Sequence, residues 1–295
     1  MELNFTKTKT NLMPVNFIYR KILKIYSFLT LKERNIFIKK SEKMINKFKK
    51  GKLIGEETIK RILSFVDGSG HADIREYQKP DRDFMRRVKP QRVPSFKIKN
   101  RILTIKISSW LVWLGRIDKT LNSFCRKNVK KYDAIIIDVR ENNGGSSNLA
   151  YSFASIFFKK SVIFGKTIRS GKNKKSKISL AKLEPDKKIF IDKPIIILIS
   201  GKSFSSTELF LAPFKVSKRA VLIGEPTQGG SARPVSEIIV IDGKKFVVRI
   251  PTWRFFLKGK KLPIEKTKIH PDILYKGKDI ENFAEKYLLK TVKNV

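Results

Sequence analysis

With 295 residues, 41% of them hydrophobic, the chain is long enough for a full-sized core: one large domain, or one domain with a helical appendage. Its 65 lysines and arginines against 26 aspartates and glutamates leave a net charge of +39, which attracts nucleic acid, anionic lipid or acidic polymers without defining a site for any of them. The basic residues are scattered and lack interleaved aromatic platforms, so no specific nucleic-acid partner is expected, and the single cysteine excludes an internal disulfide.

Residues 1 to about 66 read as helical, with Ile36, Met44, Ile45 and Phe48 set among charges and the same pattern repeated in 56-EETIKRILSFV-66. No apolar leader precedes a small-residue cleavage site. The most hydrophobic stretch, 17-FIYRKILKIYSFLTL-31, is interrupted by Arg20, Lys21 and Lys24 and does not span a bilayer. Its apolar side suits packing on the rest of the protein better than lying on an anionic membrane, and the expected compartment is the cytoplasm by default. From Asp67 to Pro94, Gly68, Gly70, Pro80, Pro90 and Pro94 break regular structure and suggest a hinge. The expected division is a helical subdomain over residues 1–75 and a core over 76–295.

Beyond the hinge, strands and helices alternate: 102-ILTIKI-107, a helix near 118–132, 134-AIIIDV-139, a helix near 147–158, 195-IIILI-199, a helix after Ser205, and 220-AVLIG-224. This order predicts an α/β core, with the two isoleucine-rich runs covered on both faces. The strands 237-EIIVI-241 and 245-KFVVRI-250 flank an Asp-Gly turn and predict a C-terminal β-hairpin, and a last helix runs over about 279–292. Cys125, with Leu121 and Phe124 on one helical face, reads as a buried apolar thiol.

Three loops carry the chemistry. In 138-DVRENNGGSSNLA-150 the paired Gly144 and Gly145 free backbone N–H groups to face an anion, or simply make a turn. In 199-ISGKSFSSTELFLAPF-214 the hydroxyls of Ser203, Ser205, Ser206 and Thr207 stand at a helix start, where a serine serves as cap or, with the helix dipole behind it, as nucleophile. The segment 67-DGSGHADIR-75 holds His71, one of two histidines and a base of suitable type; the other, His270, precedes a proline where an edge-strand role fits. Two separated histidines without a cysteine cluster offer no metal-ligand set, and no cofactor is expected.

Taken together, these segments resemble the family that includes the C-terminal-processing (tail-specific) peptidases, the tricorn core and the interphotoreceptor retinoid-binding repeats. The stretch 133-DAIIIDVRENNGG-145 is similar to that family's D-[LV]-R-x-N-x-G-G strand end, 203-SFSSTELF-210 to its S-x-S-x-x-E segment, 220-AVLIGEPTQGG-230 to its G-E-x-T-x-G loop, and 263-PIEKTKIHPDI-273 to its tail, with Lys268 in place of a glycine. The resemblance covers about residues 60–275. It implies a crotonase-like (ClpP/crotonase) β-β-α core, a serine nucleophile at Ser205, and an oxyanion hole built from backbone N–H groups of the Gly144–Gly145 turn and of Ser206. Gly230 stands where the processing peptidases carry a lysine base, so the resemblance is to the tricorn-like branch, in which His71 is the base and Glu265 polarises it. Too few residues separate His71 from Arg101 for a PDZ domain. The implied substrate is a peptide or unfolded protein; the alternative is a non-catalytic homologue that holds an apolar ligand or a peptide strand. No oligomeric state is read from the sequence.

Overall fold

The computed structural model describes residues 2–26, 30–66, 71–77, 94–110, 117–170, 176–230 and 233–293. In chain order the helices are α1 (Glu2–Ile25), α2 (Leu31–Lys49), α3 (Gly55–Ser64), α4 (Ile117–Lys127), α5 (Ser147–Ser155), α6 (Ser206–Ser217), α7 (Ile264–Thr267) and α8 (Ile280–Lys293). The strands are β1 (Asp73–Glu76), β2 (Ser95–Lys99), β3 (Ile102–Lys106), β4 (Ala134–Asp138), β5 (Val162–Ser170), β6 (Ser176–Leu183), β7 (Ile195–Ile199), β8 (Val221–Gly224), β9 (Pro234–Ile241), β10 (Lys244–Pro251), β11 (Trp253–Leu257) and β12 (Ile273–Leu274). The chain falls into two compact units, one of residues 1–87, 167–179 and 232–255, the other of 88–166, 180–231 and 256–295.

In the first unit α1 buries Val15, Ile18 and Ile22, the recurrence of a helix with one apolar stripe, and Tyr26 just after its end, in a core shared with Phe37, Met44 and Phe48 of α2 and Ile59, Ile62 and Leu63 of α3. Thr30 caps α2 by accepting from the Glu33 N–H at 3.0 Å. The expected hairpin forms, with β10 antiparallel to β9 and Asp242 and Gly243 both at positive φ, as an Asp-Gly turn requires. Its inward residues Ile239, Ile241, Phe246, Val248 and Ile250 complete the helical core. The compact units are therefore not the sequential blocks 1–75 and 76–295: alternation along β9 and β10 gives the hairpin an apolar face, and the stripes of α1–α3 cover it. β1, in a stretch expected to lack regular structure, pairs with β10, and Arg249 holds Asp73 through two bonds of 2.6 and 2.7 Å.

The second unit is built on a sheet of order β12-β8-β7-β4-β3-β2, parallel from β12 to β3 with β2 antiparallel to β3. β4 and β7 are buried along their whole length, as their isoleucine runs predict. Ala284 and Leu288 of α8 share a core with Ile136, Ile196 and Ile223. A separate aromatic cluster joins Trp110, Phe153 of α5, and Phe210 and Phe214 of α6, with ring centroids 5.1 to 6.4 Å apart. A third sheet has the order β11-β5-β6. Among the described residues no helix is long and apolar enough to cross a membrane.

Candidate active site

Parallel strands end on one side of a sheet, so the loops leaving β4, β7 and β8 gather there. The turn after β4 is braced by Asp138, which accepts from Arg140 N–H (3.0 Å), Nε (2.9 Å) and Nη2 (2.7 Å). The β7 loop is stitched to it. Ser203 Oγ donates to the Val139 carbonyl (2.9 Å), Ser200 Oγ to that of Arg140 (2.6 Å), and Phe204 N–H to that of Asn142 (3.1 Å). Thr207 Oγ1 donates to the same Asn142 carbonyl (3.0 Å) and accepts from Trp110 Nε1 (3.1 Å).

This stitching presents Ser205 in an uncommon backbone state. It precedes α6 with φ 59° and ψ −120°, a left-handed turn that costs a residue with a Cβ about 1–3 kcal/mol. Gly144 faces it closely: a Cβ added there would lie 2.7 Å from Ser205 Cβ and 3.3 Å from its Oγ. Gly145 is equally constrained, since its Cβ would meet the Trp110 carbonyl at 2.3 Å. Both are at positive φ. The Gly144 N–H, expected beside Gly145 in an anion-binding pair, instead donates to Asn142 Oδ1 (3.0 Å). The N–H groups of Gly145 and Ser206 donate to nothing among the described residues. The Ser206 hydroxyl joins the two peptides by donating to the Gly145 carbonyl at 2.7 Å. Ser203 and Ser206 are buried with hydroxyls engaged on carbonyls, whereas Ser205 is half-buried.

Behind Ser205 lies a buried acid. Glu208 Oε2 accepts from Ser205 N–H (3.1 Å) and Gly230 N–H (2.7 Å), and Oε1 from Gly229 N–H (3.0 Å) and the Thr227 hydroxyl (2.5 Å). Burial pushes its carboxyl up to about 8, opposed by these hydrogen bonds and reinforced by the charge of Glu265. Glu265 is half-buried on α7, whose carbonyls lie against Gly229: a Cβ there would approach Ile264 O at 3.1 Å and Glu265 O at 3.6 Å. Lys268, in the place of the expected glycine, keeps a glycine-like backbone at φ 50°, ψ 177°.

His71, in the first unit, is 3% exposed and two residues ahead of β1, whose Asp73 is held by Arg249. Residues 67–70 of its motif lie outside the described residues. His270 is exposed and outside any named strand. Cys125 is buried, and burial pushes its thiol up to about 12. Among the described residues no three of His, Cys, Asp and Glu gather where they could hold a metal ion. Trp110 and the supporting roles of Asn142 and Thr207 escape a reading of the sequence. Asn142 had a signal in its place before Gly-Gly; Trp110, from a distant loop, had none.

Comparison with known proteins places the chain among the peptidases. Residues 101–275, more than half of it, match peptidase family S41, and the chain belongs to that family. The matched span includes Ser205 and Glu265 and leaves out His71. A lipoprotein from Streptococcus agalactiae shares the fold at TM-score 0.65 and 18% identity over 95% of this chain and 96% of the other. A protein from Parabacteroides merdae does so at 0.63 and 19% over 90% of each. Mature CPAF complexed with lactacystin aligns at 0.55 and 14% over 67% of this chain and 53% of that one. Family membership implies a peptide or protein substrate.

Proposed function

We propose that the protein is a serine-type peptidase that works through an acyl-enzyme, with Ser205 as nucleophile, His71 as general base and Glu265 as the carboxylate that orients His71. The observation that carries this reading is the left-handed Ser205 at the head of a buried helix, facing Gly144. Such strained strand-to-helix turns aim the nucleophile in serine hydrolases that share no sequence signature with this loop. The neighbouring serines support the choice, because their hydroxyls are engaged on carbonyls.

In this reading Ser205 Oγ attacks the scissile carbonyl carbon and its proton passes to the His71 imidazole. The oxyanion is received by the N–H groups of Gly145 and Ser206, the second aligned with the α6 dipole; Gly144, whose N–H is engaged by Asn142, is not given that role. Collapse expels the amine, which takes the proton from His71, and water repeats the cycle on the ester. The parallel sheet and its helices fit the crotonase-like core, and a histidine base with Gly230 at the lysine position fits the tricorn-like branch. No cofactor enters.

Cleavage of an unstructured protein tests the reading. Ser205→Ala should abolish turnover while the melting temperature moves only as loss of a helix cap allows, about 0.5–2 kcal/mol. Turnover by the wild type should rise as pH passes through the range where an imidazole loses its proton, and His71→Ala should lose that rise together with orders of magnitude in rate. Wild-type rates in either variant, or no cleavage by the wild type, would point to a homologue that binds a peptide or apolar ligand without cutting it.

A further inference from the structure

The Glu208 carboxyl does more than a helix N-terminus requires. A helix start is served by a cap on the first N–H groups, and packing alone at position 208 would be served by an apolar side chain. Glu208 instead grips both sides of the Ser205 turn. Its carboxyl takes the Ser205 N–H (3.1 Å), while its own N–H and that of Leu209 donate to the Ser205 carbonyl (2.9 and 3.3 Å). The same carboxyl holds Thr227, Gly229 and Gly230. That loop is fastened further along. Thr227 N–H donates to the Ile269 carbonyl and Ile269 N–H to Thr227 Oγ1, both at 3.0 Å, Gln228 N–H donates to the Ser203 carbonyl at 3.1 Å, and Gly229 packs on the carbonyls of α7.

Resting on the nucleophile reading of Ser205, we infer that Glu208 is a positioning residue: its carboxyl locks the Ser205 peptide in the left-handed turn that aims the hydroxyl and couples that turn to the 227–230 loop, against which the Glu265-bearing helix packs. A non-glycine residue stays in such a conformation only where its surroundings over-determine it, and the Ser205 N–H is the handle by which this carboxyl does so. The Ser203 bond to Val139 and the Phe204 bond to Asn142 fix the loop before the turn; Glu208 reaches from the turn itself to the next loop, where the Gln228 bond to Ser203 joins the same two segments.

Fluorophosphonate labelling of the full chain, with active sites counted by mass spectrometry, tests this. Glu208→Gln keeps an amide oxygen that can accept from Ser205 and Gly230, and should label within about threefold of the wild-type rate. Glu208→Ala removes the acceptor and should label to full stoichiometry at least tenfold more slowly, with kcat reduced to match and KM within about twofold. If Glu208→Ala does not fold, Glu208→Asp carries the test: one methylene shorter, it cannot hold Ser205 and the 229–230 peptides together, and at least a fivefold loss is expected. A purely structural role would lower the labelled fraction and the melting temperature but leave rate and kcat per labelled site at wild-type values, and that result overturns the inference. A wild type that does not label at all removes the nucleophile reading first and this one with it.

Discussion

Glu265 is the residue on which the sequence leaves two readings in balance, a surface carboxylate beside Lys261 and Lys266 or the partner of a catalytic histidine. It is half-buried, its helix lies on Gly229, and its charge is felt by Glu208, so it is not a freely solvated surface group. If it orients His71, Glu265→Gln should cut kcat by orders of magnitude with little change in KM or melting temperature; a change under about threefold, well below 1 kcal/mol of barrier, would remove it from the mechanism. Glu208 makes a prediction of opposite kind. Burial raises its folded-state value from 4.5 to about 8, so the folded chain keeps a proton that the unfolded chain releases. The stability this contributes is complete below about pH 4.5 and is lost as pH rises through about 8. Thermal melts at intervals across that range should show the wild type losing stability relative to Glu208→Gln as pH rises; parallel curves would mean the carboxyl titrates alike in both states.

At the scale of elements, the turn after α7 shows how a motif survives the loss of its expected residue. Lys268 occupies the glycine position of the resembled tail and holds a backbone that glycine adopts without strain, with its N–H on the Ile264 carbonyl at 2.8 Å. Lys268→Gly should therefore leave the unfolding free energy unchanged or raise it, by up to about 1–3 kcal/mol less the entropy glycine adds to the unfolded chain; a clear loss in a denaturant melt would mean the lysine side chain, packed beside Gly229, contributes more than its backbone costs. The elements legible in the sequence were those with strong periodicity: the helices before residue 66, the buried runs at β4 and β7, β8 with its closing glycine, and the Asp-Gly hairpin. β1 went unread because Asp73–Glu76 has a single apolar residue and is ordered by pairing with β10. β5 and β6 carry Lys, Ser and Gly among their apolar residues, and neighbouring strands rather than local pattern define them. At the site, the glycines and serines were legible because their spacing matches a motif; Trp110 and the full reach of Glu208 were not, since both arise from loops that meet only in the folded chain.

For the whole molecule, the charge of +39 sets a background attraction to polyanions, while the proposed nucleophile lies in a loop that leaves one of three neighbouring parallel strands. His71 precedes a strand of one compact unit, and Ser205, the Gly144–Gly145 turn and Glu265 belong to the other. That division matters for any truncation, because the hairpin that completes the first unit's core lies late in the chain. The central claim is that Ser205 is an activated nucleophile. It is tested most directly by treating the 295-residue chain with a fluorophosphonate and locating the adduct by peptide mass mapping. A single adduct on Ser205, retained in Ser203→Ala and lost in Ser205→Ala and His71→Ala, is the predicted result; an adduct on another residue, or an unlabelled wild type that melts cooperatively, would contradict it.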